Sequence, residues 1–172
     1  MFATGWAWTI SQDFPFTPER WRKSQRRLRA QLAAPGQART RALAAELQAC
    51  QRPARQAFAR LCPELCPSCD KVCCLRISPH GLLDIVDLIY YAALDLRKLP
   101  YPRPRPRGCP FLEQEGCALP WPARPFPCLH YICARLGAAM TDEERALTER
   151  SLAQAALLRG ELHQAFLKGL EG

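Results

Sequence analysis

Nine of the ten cysteines in this 172-residue chain fall between Cys62 and Cys133, in two groups. The first, Cys62-Pro-Glu-Leu-Cys66-Pro-Ser-Cys69-Asp-Lys-Val-Cys73-Cys74, holds five thiols in thirteen residues; the second is Cys109, Cys117, Cys128 and Cys133. Two thiols separated by two residues, as Cys66 and Cys69 are, can turn their sulfurs toward one point about 2.3 Å from each, which is half of a tetrahedral thiolate shell. The second group is more widely spaced but sits among Pro110, Pro120, Pro122, Pro125 and Pro127. Their fixed φ lowers the entropy lost in holding irregular loops around an ion. Buried free cysteine acting as a small hydrophobe suits Cys50, alone on an apolar helix, but not so dense a group in a loop-rich segment. The group therefore points to metal or iron–sulfur ligation. The adjacent pair Cys73-Cys74 adds a constraint, because neighbouring side chains diverge by about 100° on a helix and about 180° on a strand. Both thiols do not suit one tetrahedral ion, so the pair hints at a polynuclear cluster or at two neighbouring ions with one thiol each.

Disulfides are the competing use of so many thiols, and compartment decides between them. Met1 to Trp6 lacks the basic and long apolar segments of a secretory signal, so the expected place is the cytoplasm, where disulfides are disfavoured. The longest greasy stretch, Gly81 to Leu96, is interrupted by Asp84, Asp87 and Asp95, and no membrane partner is expected.

Apolar residues at 48% and charged residues at 23% match ordinary globular usage, so a disordered chain is excluded. The charge is unevenly placed. Residues 1–61 carry eleven Arg or Lys against three Asp or Glu, while residues 62–172 carry thirteen of each. Thr17-Pro18-Glu19 signals a helix start, to run to about Ala34 before Pro35-Gly36. A second helix is expected over about 37–51, pairing with the first, and a third opening at Pro53 with Phe58 and Leu61 on its apolar face. Ser78-Pro79 reads as the start of a central core helix. Its polar residues Asp84, Asp87, Tyr91 and Asp95, at spacings of 3, 4 and 4, form a narrow stripe expected to face water. Pro100, Pro102, Pro104 and Pro106 enforce an extended strap, and Thr141-Asp142-Glu143-Glu144 caps a last helix reaching about Leu170, with a bend expected at Gly160. The fold class is mostly α: a small helical domain with irregular cysteine-rich metal-binding loops and a basic N-terminal helical region. Its parts are residues 1–61 packing on the body, the cysteine-cluster domain at 62–140, and a C-terminal helix of that same domain at 141–172.

The order Cys66-x2-Cys69-x3-Cys73-Cys74, Cys109-Pro110-Phe111-Leu112, Cys117, Arg124-Pro125 and Cys128-x4-Cys133 resembles the YkgJ-like CxxCxxCC cysteine-cluster family, known as zinc- or iron-chelating domains. The resemblance covers about 70 of the 172 residues. It implies metal ligation by Cys66, Cys69, Cys73, Cys74, Cys109, Cys117, Cys128 and Cys133, with an iron–sulfur cluster or Zn as the cofactor, and it points to Arg124 as a nearby cation. Cys62 and His130 stay open as further ligands.

Cys62-x3-Cys66-x2-Cys69 also has the cysteine spacing of radical S-adenosylmethionine enzymes, but those need a parallel β/α barrel, and Ser68 stands where an aromatic is usual. His80 fits a helix start and His163 a solvated helix face; no Ser-His-Asp set, phosphate loop or HExxH is present. Lys71, Arg76, Arg124 and Arg135 are near enough in sequence to offset thiolate charge. Arg20, Arg22, Lys23, Arg26, Arg27 and Arg29, with Trp6, Trp8 and Trp21, offer phosphate contacts and stacking, so nucleic acid is one partner class. Twenty Arg against four Lys is a general bias that weakens that reading, and a protein partner ranks above it. The leading expectation is a metal-binding protein with a structural, electron-transfer or accessory role. The alternative is an enzyme using the cluster in redox or methyl-transfer chemistry.

Overall fold

The computed structural model describes residues 17–77, 82–97, 99–103, 108–114 and 116–171. Trp6, Trp8, the Ser78-Pro79 start with His80, and the strap residues Pro104 and Pro106 lie outside the described residues.

Among the described residues the chain forms seven α-helices: α1 (Pro18–Leu32), α2 (Ala38–Cys50), α3 (Arg52–Leu65), α4 (Ile85–Ala93), α5 (Phe126–His130), α6 (Ala134–Ala138) and α7 (Asp142–Lys168). A minimal antiparallel hairpin, β1 (Leu112–Glu113) with β2 (Gly116–Cys117), pairs Leu112 with Cys117. The caps form where the sequence places them. The Thr17 hydroxyl accepts the Arg20 N–H at 3.2 Å with Pro18 in the first turn, and the Thr141 hydroxyl accepts the Glu144 N–H at 3.1 Å. α1 buries Trp21, Gln25, Leu28 and Leu32 and leaves Arg22, Lys23, Arg26 and Arg27 exposed. It packs chiefly on α4, while α2 packs chiefly on α7. Across the α2 start, Gln37 donates its side-chain N–H to the Phe166 carbonyl at 3.0 Å and accepts the Thr40 hydroxyl at 2.6 Å. Gly169 is what admits this: a Cβ there would lie 2.6 Å from the Gln37 amide and 2.7 Å from the Gly36 carbonyl.

The buried apolar side chains gather around two centres. One joins α1, α2, α4 and the C-terminal half of α7 with Cys109, Phe111, Leu119 and Ala123. The other joins Ala54, Ala57, Phe58 and Leu61 of α3 with Leu129, Leu136, Met140 and Leu152. α7 takes part in both, and the 61/62 boundary falls inside α3.

The central helix departs from expectation. α4 begins at Ile85, not near Ser78, and Leu82 and Leu83 precede it. The reason is local: the Asp84 carboxylate accepts the Asp87 N–H at 2.9 Å and the Asp87 carboxylate accepts the Asp84 N–H at 3.3 Å, a reciprocal cap that fixes the first turn there. Its end also comes early, with Asp95 in the left-handed region at φ 54°. The polar stripe does not all face water. Asp84 and Asp95 are exposed, but Asp87 and Tyr91 are only 2% and 1% exposed. Arg159, from the middle of α7, bonds Asp87 at 2.6 Å and Asp84 at 2.5 Å, and the Tyr91 hydroxyl donates to the Ala123 carbonyl at 2.8 Å. The two buried members of the stripe, Asp87 and Tyr91, thus each have a partner that lies far off in sequence.

Candidate functional site

α3 carries the first thiols. It runs through Pro63, so Cys62 and Cys66 stand one turn apart at its end, and the Cys66 N–H bonds the Cys62 carbonyl at 2.9 Å. The chain then turns tightly, with the Cys69 N–H on the Cys66 carbonyl at 3.2 Å, and enters a 3₁₀ turn at Cys73–Leu75. Against this turn lies the start of the second group. The Cys109 N–H donates to the Cys74 carbonyl at 2.7 Å, and Gly108 makes the approach possible at φ 85°, where a Cβ would stand 3.1 Å from the Cys74 carbonyl oxygen. The β1–β2 hairpin then brings Cys117 back beside Leu112, whose N–H bonds the Cys109 carbonyl at 3.2 Å.

Cys128 sits in α5 and Cys133 caps α6, its sulfur accepting the Leu136 N–H at 3.4 Å. Arg135 on α6 reaches back to the first group, donating to the Ser68 carbonyl at 3.0 Å and the Ser68 hydroxyl at 2.8 Å.

All ten cysteines are among the described residues and all are free thiols. Among the nine thiols between Cys62 and Cys133, burial raises Cys62, Cys73, Cys74 and Cys128, and the neighbours acting on each divide them into two neighbourhoods. Burial pushes Cys74 up to about 11, with Cys109 and Cys117 acting on it ahead of Cys66 and Cys73. Cys128 is raised by burial and then by Cys109, Cys117 and Cys74. Burial pushes Cys62 up to about 12, reinforced by Cys66, which also hydrogen-bonds its side chain, and by Cys133. Cys73 is raised by burial and then by Cys133, Cys66 and Cys69. One neighbourhood is therefore Cys62, Cys66, Cys69, Cys73 and Cys133; the other is Cys74, Cys109, Cys117 and Cys128. Arg124 opposes the rise at both Cys62 and Cys128, one thiol of each neighbourhood. Its guanidinium lies over the Trp121 ring, 3.3 Å from the centroid.

Among the described residues, no three His, Cys, Asp or Glu side chains are drawn together closely enough to hold a metal ion. The donor chemistry fits a thiolate-held metal, with soft ligands drawn from separate segments, while the side-chain positions do not themselves close a coordination shell. Of the remaining candidates, Lys71, Arg76 and Arg135 are exposed. His130 is also exposed and tilts against the Phe126 ring at 5.2 Å. Cys50 stands elsewhere, its thiol donating to the Ser151 carbonyl at 3.3 Å while the Ser151 hydroxyl donates to the Cys50 carbonyl at 2.8 Å.

A second group of residues, invisible as a motif, fixes the segment that leads to Cys128. Arg55 on α3 donates to the Trp121 carbonyl and to the Gln51 side-chain Oε1 at 2.6 Å, and reaches the Tyr90 hydroxyl at 3.3 Å. Tyr90 donates to the Pro122 carbonyl at 3.5 Å and Tyr91 to the Ala123 carbonyl. Asp87 accepts the Phe126 N–H at 3.3 Å, and Arg159 lies over the Phe126 ring at 4.9 Å. Burial pushes the Asp87 carboxyl up to about 6 against the pull of Arg159. Burial alone would lower Arg159, but Asp87 and Asp84 outweigh it and the guanidinium is held charged more firmly than usual. The only sequence signal for this clasp was the polar stripe on an otherwise apolar helix.

Compared with protein-family models, with curated proteins and with solved structures, the chain matches none. No helix of the described residues is long and apolar enough to cross a membrane.

Proposed function

We propose that this chain is a metal-binding cysteine-cluster protein that uses Cys66, Cys69, Cys73, Cys74, Cys109, Cys117, Cys128 and Cys133 as thiolate ligands. The reading rests on one observation: free thiols from α3, the 3₁₀ turn, the hairpin, α5 and the α6 cap are brought into two neighbourhoods around one backbone contact, the Cys109–Cys74 hydrogen bond. The spacing that resembles the YkgJ-like family supports it from the sequence side. Burial that raises Cys73, Cys74 and Cys128 makes lone thiolates costly at those positions, and a cation beside them would offset that cost. Four thiolates on a divalent ion leave a net charge of about −2, which Arg124 and the capping N–H at Cys133 are placed to moderate. A zinc ion would supply structural cross-linking of the loops, and an iron–sulfur cluster would add one-electron redox capacity. The role is structural, electron-transferring or accessory to a protein partner. The test is elemental analysis of chain purified without oxygen. At least about one equivalent of zinc or iron per chain is expected, and less than about a tenth of an equivalent of any transition metal would overturn the reading.

A further inference from the structure

The adjacent cysteines sit at the place where the two neighbourhoods meet. Cys73 and Cys74 open a 3₁₀ turn, in which successive side chains are separated by about 120° around the axis, so the two thiols leave the same stretch of backbone in different directions. Their surroundings differ accordingly. Cys73 is exposed, while Cys74 is half-buried against the apolar centre that also takes Cys109, Cys117 and Cys128. Cys62 and Cys133 pack against the other apolar centre, that of Phe58, Leu129 and Leu136. Separate hydrogen-bonded ties reinforce the division. The Cys109–Cys74 hydrogen bond and the Leu112–Cys117 pairing hold one side, while Arg135 on Ser68 draws the α6 cap, with Cys133, to the Cys66–Cys69 turn on the other.

Resting on the metal-binding reading, we propose that the thiols form two distinct four-cysteine metal centres, with the Cys73–Cys74 peptide as the bridge between them. Cys66, Cys69, Cys73 and Cys133 make one; Cys74, Cys109, Cys117 and Cys128 make the other. Four thiolates close a tetrahedral shell, so each set is complete by itself and an adjacent pair can serve both only by giving one sulfur to each. Cys62 is left as a fifth thiol beside the first centre, one helical turn from Cys66 and outside its shell.

The experiment uses the full-length chain as purified without oxygen, with metal and acid-labile sulfide counted per chain. Cys69→Ser and Cys117→Ser should each lower the metal content about twofold, the double variant should hold none, and Cys62→Ser should leave the content unchanged. A Cys69→Ser or Cys117→Ser chain that loses all metal, with helicity by circular dichroism intact, would mean one shared cluster; the division falls while the metal-binding reading stands. Titration of the unsubstituted chain with an organomercurial, following metal release, gives the count without any variant. Two separable steps of equal size support the proposal, and a single cooperative step overturns it. An unsubstituted chain with no metal at all overturns both readings together.

Discussion

The segments at 66–77 and at 119–126 are both short of regular structure, yet they are held in opposite ways. The second is gripped from outside. Arg55, Tyr90 and Tyr91 take the carbonyls of Trp121, Pro122 and Ala123, and Asp87 takes the Phe126 N–H. These side chains are buried, and they belong to α3 and α4, which also pack against other helices, α3 on α2 and α7 and α4 on α1, α2 and α7. The first segment has turn hydrogen bonds of its own, the Arg135–Ser68 contact and the Cys109–Cys74 bond, and two of its four thiols are exposed. A loop whose backbone is captured by buried side chains needs no ligand to persist. A loop held by turn bonds and one exposed Arg–Ser contact has more to gain from a ligand on its thiols.

Metal removal is the strongest way to test that contrast. Chelating the chain should lower hydrogen-exchange protection by tenfold or more over 66–74 and 109–117, while 119–126 and the helices of the first apolar centre keep most of theirs. Equal protection before and after would show that the thiol loops are as self-sufficient as the clasped one. The next largest effect belongs to the clasp. Arg159→Met strands Asp87 in the core without its counter-charge and should cost about 3–5 kcal/mol in urea unfolding, whereas pairing it with Asp87→Leu should restore much of the loss. Additive costs in that cycle would deny the pair its role. Tyr91→Phe leaves the Ala123 carbonyl without its donor and should cost about 1–3 kcal/mol, with metal content unchanged. Loss of metal in that variant would join the two loops that are separated here. Smallest of all, Gly160→Ala has open space for its Cβ on an exposed stretch of α7 and should gain about 0.5–1 kcal/mol of global stability. It should not alter exchange at 66–74, which opens locally; a parallel gain there would mean that these loops open only when the whole chain unfolds.

Much of the frame could be read from the chain. Thr17-Pro18 and Thr141 cap helices where short-range chemistry demands, and the Trp21, Leu28, Leu32 stripe is buried as its periodicity requires. The divergence of Cys73 and Cys74 was legible too, since neighbouring side chains cannot face one way, and the first is exposed while the second is half-buried. What failed to show was anything decided by partners far along the chain. Asp87 looked solvent-facing because its neighbours at 3 and 4 residues are polar, and only Arg159, 72 residues on, makes its burial affordable. The α4 start was misplaced for a related reason: Ser78-Pro79 is an adequate start signal, but the reciprocal Asp84–Asp87 cap sets the boundary six residues later. Cys62 was left open as a ligand; α3 continues through Pro63 and sets it one turn before Cys66.

α7, at 27 residues, is about 40 Å long and packs against α2, α3 and α4. It is also the last of these elements to leave the ribosome. At about 5–20 residues per second its synthesis takes roughly 1–5 s, during which α1 to α6 are already made but Leu158, Leu162 and Phe166, which complete the first apolar centre, are not. Every thiol of the cysteine loops therefore emerges before the helix that closes the core and before Arg159 can reach Asp87. Synthesis thus leaves an interval in which every cysteine loop is made while the first apolar centre is still open, and the arrival of one helix ends it.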